Sequence, residues 1–116
     1  MINKEALSKM KDGVVIVNTA RGTIIDKPAL IRGIENGKIG AAALDVLEKE
    51  DGLYYHNRAG EVIVNHEMAI LRSYPNVILA PHTAFYTDED VLSMIEHNFE
   101  SLYLFETGKT NPLEIK

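Results

Sequence analysis

Cysteine and tryptophan are absent from the 116 residues. Without cysteine there is no disulfide, no thiol nucleophile and no cysteine-ligated metal, and a reducing cytoplasm is compatible with the chain. No apolar run approaches the ~20 residues of a membrane span, and "MINKEALSKMK" lacks the apolar centre of a signal peptide. Basic residues do not dominate: 12 Lys and Arg stand against 17 Asp and Glu, for a net charge of −5. That balance excludes a general nucleic-acid binder, which needs a basic surface. His56, His66 and His97 show no ligand spacing such as HExxH, so no metal site is expected. There is no internal repeat, no low-complexity tract and no G-x-G-x-x-G phosphate-binding turn. A cytoplasmic protein with neither membrane nor nucleic-acid partner is the expectation.

What is present is an ordinary globular composition, 46% hydrophobic and 25% charged, in a chain long enough for one core. Asn3 is placed to cap a helix running to Lys11, with Ala6, Leu7 and Met10 on one face. "VVIVN" at 14–18 reads as a strand buried on both faces. "TARGTII" reads as a loop. Asp26 and Pro28 open a helix that runs to about Asn36 and closes at Gly37. "IGAAALDV" at 39–46 is a second strand, its small residues permitting close helix packing.

Residues 48–64 are polar, with "EVIV" at 61–64 a small extra strand. Asn65 caps a helix over 65–73, and "NVILA" at 76–80 is the third core strand. Thr87, with Asp90 three residues on, begins a helix to about Glu106. Val91, Met94, Ile95, Phe99, Leu102 and Phe105 recur along it at helical spacing. Strands alternating with helices imply βαβ units and a parallel α/β sheet, here with two open edges.

Ligands of such sheets bind beyond the carboxyl ends of the strands. The first strand empties into Thr19-Ala20-Arg21-Gly22, the second delivers Asp45 and then Glu48 and Glu50, and the third delivers His82. An arginine, carboxylates and a histidine converging on one rim suit anion binding with acid/base chemistry. Each also has a plainer reading. Arg21 can be a surface loop residue, Glu50 part of the solvated run "EKED", Asp45 a strand-end cap, and His82 a loop residue beside a turn proline. Spacing does not separate Glu48 from Glu50. Tyr54, Tyr55, Phe85 and Tyr86 read as packing residues, with Phe85 or Tyr86 also able to line a substrate pocket.

Taken together, "VIVNTARGTIID", "GKIGAAALDVLEKE" and "PNVILAPHTAFYT" resemble the C-terminal half of the NAD-binding Rossmann domain of D-2-hydroxyacid dehydrogenases. "PHTAFYTDE" is most similar to the D-lactate branch. The resemblance implies a partial Rossmann-like sheet over 1–86. It also implies a helix and tail over 87–116 that return the chain to a substrate domain.

It further implies Arg21 as the arginine that holds the substrate carboxylate bidentately, His82 as the acid/base and Glu50 as its paired carboxylate. Thr19, Ala20, Arg21 and Asp45 would lie against NAD, which carries the hydride. The implied parent is a dimeric NAD-dependent oxidoreductase acting on a 2-keto or 2-hydroxy acid, such as pyruvate and D-lactate. Its phosphate-binding turn and most of its substrate domain would precede Met1. On this reading the 116 residues are a fragment with weak NAD binding and negligible turnover alone, and the last helix packs on its own sheet, on a partner, or exposes its apolar face. A non-enzymatic, self-associating α/β module is the competing reading, and other D-2-hydroxy acids are alternative substrates.

Overall fold

The computed structural model describes residues 1–50, 52–62 and 64–114, and these fall into two compact units, 1–83 and 84–116. In the first unit, Asn3 caps α1 (Lys4–Ser8) by accepting a hydrogen bond from the Ala6 amide at 2.9 Å. The helix stops three residues before Lys11, because the Lys9 amide turns back to the Ala6 carbonyl and the Met10 amide to the Leu7 carbonyl, tightening the last turn. β1 (Val14–Asn18) leads through a short 3-10 turn at Gly22–Ile24 into α2 (Lys27–Glu35). The Asp26 carboxylate caps α2 through the Ala29 amide at 2.7 Å, with Pro28 in the first turn. β2 (Ile39–Leu44), α3 (His66–Ser73) and β3 (Val77–Leu79) complete the unit.

The three strands pair in the order β1-β2-β3, all parallel, so β1-α2-β2 and β2-α3-β3 are successive βαβ crossovers. α2 packs on β2, α3 on β3, and the two helices pack on each other. The core lies between them and one face of the sheet. Leu7, Leu30, Ile34, Ile39, Ala42, Leu44 and Leu71 are buried there, with Ile16, Val77 and Leu79 packed against them.

The expectation that β1 is buried on both faces is wrong. The register sets Val17, Ala43 and Ile78 side by side on the opposite face, and there Val15, Val17 and Ile78 are 62%, 68% and 69% exposed. One layer of helices covers one face, and among the described residues no element of this unit lies on the other. The ladder also ends earlier than the apolar runs do. β2 stops at Leu44 and β3 at Leu79, and Asp45 and His82 follow as the chain leaves the sheet. Glu61, Val62 and Val64 form no strand, and Ile63 of that expected strand lies outside the described residues.

The second unit is dominated by α4 (Asp88–Glu106), capped by the Thr87 hydroxyl, which accepts from the Asp90 amide at 3.1 Å. None of its residues is buried, so its apolar face is exposed. At its end Gly108 takes the left-handed conformation, with its amide on Phe105 and the Lys109 amide on Leu104.

Candidate active site

The parallel topology puts three loops on one rim, and hydrogen bonds weld them together. Asn18, the last residue of β1, is buried, and its carbonyl accepts from the Asp45 amide at 2.9 Å. Its side chain folds the next loop: Oδ1 accepts from the Ala20 amide at 3.1 Å, and Nδ2 donates to the Arg21 carbonyl at 3.0 Å. Gly22 then crosses the chain leaving β2 so closely that a β-carbon there would stand 2.1 Å from the Leu47 carbonyl carbon and 2.2 Å from the Glu48 nitrogen. Only glycine permits that approach.

From β2 the buried Asp45 reaches across to the third loop. Its carbonyl accepts from the His82 amide at 2.9 Å and its Oδ1 from the Thr83 amide at 2.8 Å. The plain reading of Asp45 as a cap is therefore correct in part: it caps the neighbouring strand's loop. His82 itself is in the left-handed region, at φ 55°, which costs a β-carbon residue roughly 1–2 kcal/mol. That twist turns the imidazole to Glu50, with Nδ1 2.6 Å from Oε1. The second Glu50 oxygen accepts from the Leu47 amide at 2.7 Å, so both carboxylate oxygens are engaged and the side chain cannot swing. The Tyr55 hydroxyl donates to the His82 carbonyl.

Geometry separates the two glutamates that spacing left equal. Glu50 faces His82, whereas Glu48 offers its carbonyl to Lys27 at 3.5 Å. Arg21 is on the same rim but in a different state. Its guanidinium is exposed, donates to the Ala20 carbonyl at 2.7 Å, and has no carboxylate partner among the described residues. A bidentate donor facing solvent on the same rim as an oriented imidazole is an arrangement that suits an incoming carboxylate. Thr19 and Ala20 are likewise exposed at the rim.

Sequence patterning assigns no role to Asn18 or Gly22, and it reads Tyr55 as packing, whereas that ring is exposed and its hydroxyl holds the His82 carbonyl. Asparagine ending an apolar strand run, and glycine directly after the arginine, were the available signals. Nothing local in "LYYHNR" marks Tyr55 as a partner of His82. The phenol of its neighbour Tyr54 is held above its ordinary range, first by burial and then by the Glu50 charge. Among the described residues no group of three or more His, Asp or Glu could hold a metal ion. A concavity of about 800 Å³ is lined by Leu7, Arg32, Gly33 and Lys38 and by none of the residues of this rim.

Residues 1–84 match the family model described as D-isomer specific 2-hydroxyacid dehydrogenase, NAD binding domain. The chain belongs to this family. A relative from Clostridium sporogenes, an aromatic 2-oxoacid reductase, is 49% identical over 110 residues, covering 95% of this chain and 33% of its own. The D-lactate dehydrogenase of Lactobacillus delbrueckii subsp. bulgaricus is 40% identical over 116 residues, covering all of this chain and 35% of its own.

The solved D-isomer specific 2-hydroxyacid dehydrogenase of that lactobacillus, in its NAD complexed form, superposes with a TM-score of 0.82 at 29% identity, over 100% of this chain and 35% of that one. A Treponema pallidum D-lactate dehydrogenase gives 0.79 at 36% identity, over 99% of this chain and 35% of that one. The chain thus spans about a third of the length of the dehydrogenases it matches. The family model that the chain matches is an NAD binding domain. The rim offers such a polar cofactor a buried carboxylate, Asp45, and an exposed loop, Thr19–Ala20, both tied to Asn18.

Proposed function

We propose that the protein containing this chain is an NAD-dependent oxidoreductase that interconverts 2-oxo acids and D-2-hydroxy acids, with His82 as the acid/base. The observation that carries the reading is the His82–Glu50 contact at 2.6 Å, made on the rim that Arg21 shares. NAD, when bound, supplies the hydride. Arg21 binds the substrate carboxylate through its two-pronged guanidinium and fixes the position of the carbon to be reduced. Glu50 orients the imidazole through Nδ1, and Nε2 gives a proton to the developing alkoxide and takes it back in the reverse direction. Asp45 and the Thr19–Ala20 loop hold the nicotinamide end. Residues 1–86 are assigned to the cofactor domain and 87–116 to the return towards a substrate domain, in a cytoplasmic dimer.

Pyruvate is one candidate substrate. The higher identity to an aromatic 2-oxoacid reductase than to a D-lactate dehydrogenase favours a larger, aromatic 2-oxo acid. The assay is NADH consumption by a protein of the relatives' length carrying this chain, with pyruvate and phenylpyruvate compared by kcat/KM. His82→Ala is expected to lower kcat by roughly 10²–10⁴-fold. No 2-oxo-acid-dependent NADH consumption by the unmodified protein overturns the reading. The 116 residues by themselves contain no G-x-G-x-x-G turn to hold a pyrophosphate, so weak NADH binding and negligible turnover are expected of them. The exposed face of Val15, Val17 and Ile78 favours one second reading, a self-associating module, which a tight dimer without NADH binding would support.

A further inference from the structure

We infer that Asn18 is the positioning residue of the rim: it acts through Arg21, setting the backbone from which the guanidinium meets the substrate carboxylate. This rests on the oxidoreductase reading above for Arg21's role, but the bridge itself is independent of it. Asn18 is only 3% exposed. All three of its polar functions beyond the strand ladder are spent on the rim: Oδ1 on the Ala20 amide, Nδ2 on the Arg21 carbonyl, and the main-chain carbonyl on the Asp45 amide.

A hydrophobic residue at this position would complete the apolar strand "VVIV" and fill the same interior. It would also leave the Ala20 amide without its side-chain partner and the Arg21 carbonyl with the Ile24 amide alone, at 3.3 Å, so the 19–20 peptide plane would be released and the 21–22 plane held by one bond in place of two. An exposed arginine has many rotamers. Its reach is useful only if its Cα is anchored, and here an amide side chain on one side joins the 3-10 turn that Arg21 opens on the other. Because the same residue accepts from Asp45, whose carbonyl holds His82, Asn18 also sets the spacing between the arginine and the imidazole.

Two variants and one direct measurement test this, in a protein of the relatives' length. Asn18→Ala removes both side-chain bonds. Asn18→Asp keeps the acceptor for Ala20, loses the donor to Arg21 and sets a buried carboxylate oxygen against the Arg21 carbonyl. In both, kcat/KM for the 2-oxo acid is expected to fall about 10–100-fold, chiefly through KM for the acid, with KM for NADH little changed. In an Arg21→Ala background the same changes are expected to add almost nothing, because the effect passes through Arg21. An equal loss in both backgrounds, or a loss confined to kcat, overturns the proposal.

Amide hydrogen exchange gives the readout that needs neither activity nor a folded variant. In the unmodified protein the Ala20 amide is expected to exchange slowly for a loop position, and exchange at the free-loop rate overturns the bridge. Inactivity of the unmodified protein with every 2-oxo acid sinks the oxidoreductase reading, while the Ala20 exchange rate still decides the bridge.

Discussion

Glu50 does two jobs with two oxygens, and its substitutions separate them. Glu50→Gln keeps the size and one acceptor but removes the charge facing His82 Nδ1, so kcat is expected to fall about 10²-fold or more with little loss of stability. Glu50→Ala also strands the Leu47 amide and is expected to lower stability by about 1–3 kcal/mol. Kinetics and thermal melts on the pair check both. A second residue-scale expectation concerns Tyr54. Burial and the Glu50 charge raise its phenol above the ordinary 10.0, so the folded state holds this proton more tightly than the unfolded state does. Its contribution to stability is complete below pH 10.0 and is lost as pH rises through the folded value. The melting midpoint should fall on that alkaline side, and Tyr54→Phe should flatten the slope. At this scale the sequence marked His82, since a titratable ring at a strand's end stands out. Choosing Glu50 over Glu48 needed the fold, because two glutamates in one polar run differ only in where the loop turns them.

The elements show why some boundaries are readable and others are not. Asn3, Asp26, Asn65 and Thr87 each accept from the amide three residues on. Capping is local chemistry, so four helix starts were visible in the sequence. α1's early end was not, because it depends on a tightened last turn. β1 misled for a different reason. "VVIV" reads the same whether a strand is covered on one face or two, and the difference lies in whether a second layer packs on it. The close crossing at Gly22 yields the expectation at this scale. Gly22→Ala drives a methyl into the main chain at 47–48 and should cost upward of about 1–3 kcal/mol. It should also weaken substrate binding, since relieving the clash moves Arg21. Chemical denaturation and KM for the 2-oxo acid are the measurements.

At the scale of the molecule, the sheet presents valines and an isoleucine to water on one side, and α4 presents Phe99, Leu102 and Phe105. Exposed apolar surface on either unit drives association. The 116-residue chain is therefore expected to self-associate in light scattering and to bind a hydrophobic dye. Val17→Lys should reduce both without disturbing the rim, because residue 17 faces away from the core. An unchanged scattering profile would mean that the face is not what drives association.

The crossing of Gly22 over Leu47 and Glu48, with Asn18 tied to Asp45, also has a meaning for motion. Residues 18–22 and 45–48 share main-chain contact and hydrogen bonds, so neither segment can swing without carrying the other. A hinge needs a few residues whose torsions are free to change. This rim has none to offer between Arg21 and the loop that holds Glu50. If the site closes over a bound acid, the rim is the stationary jaw, and the moving one is carried by other segments.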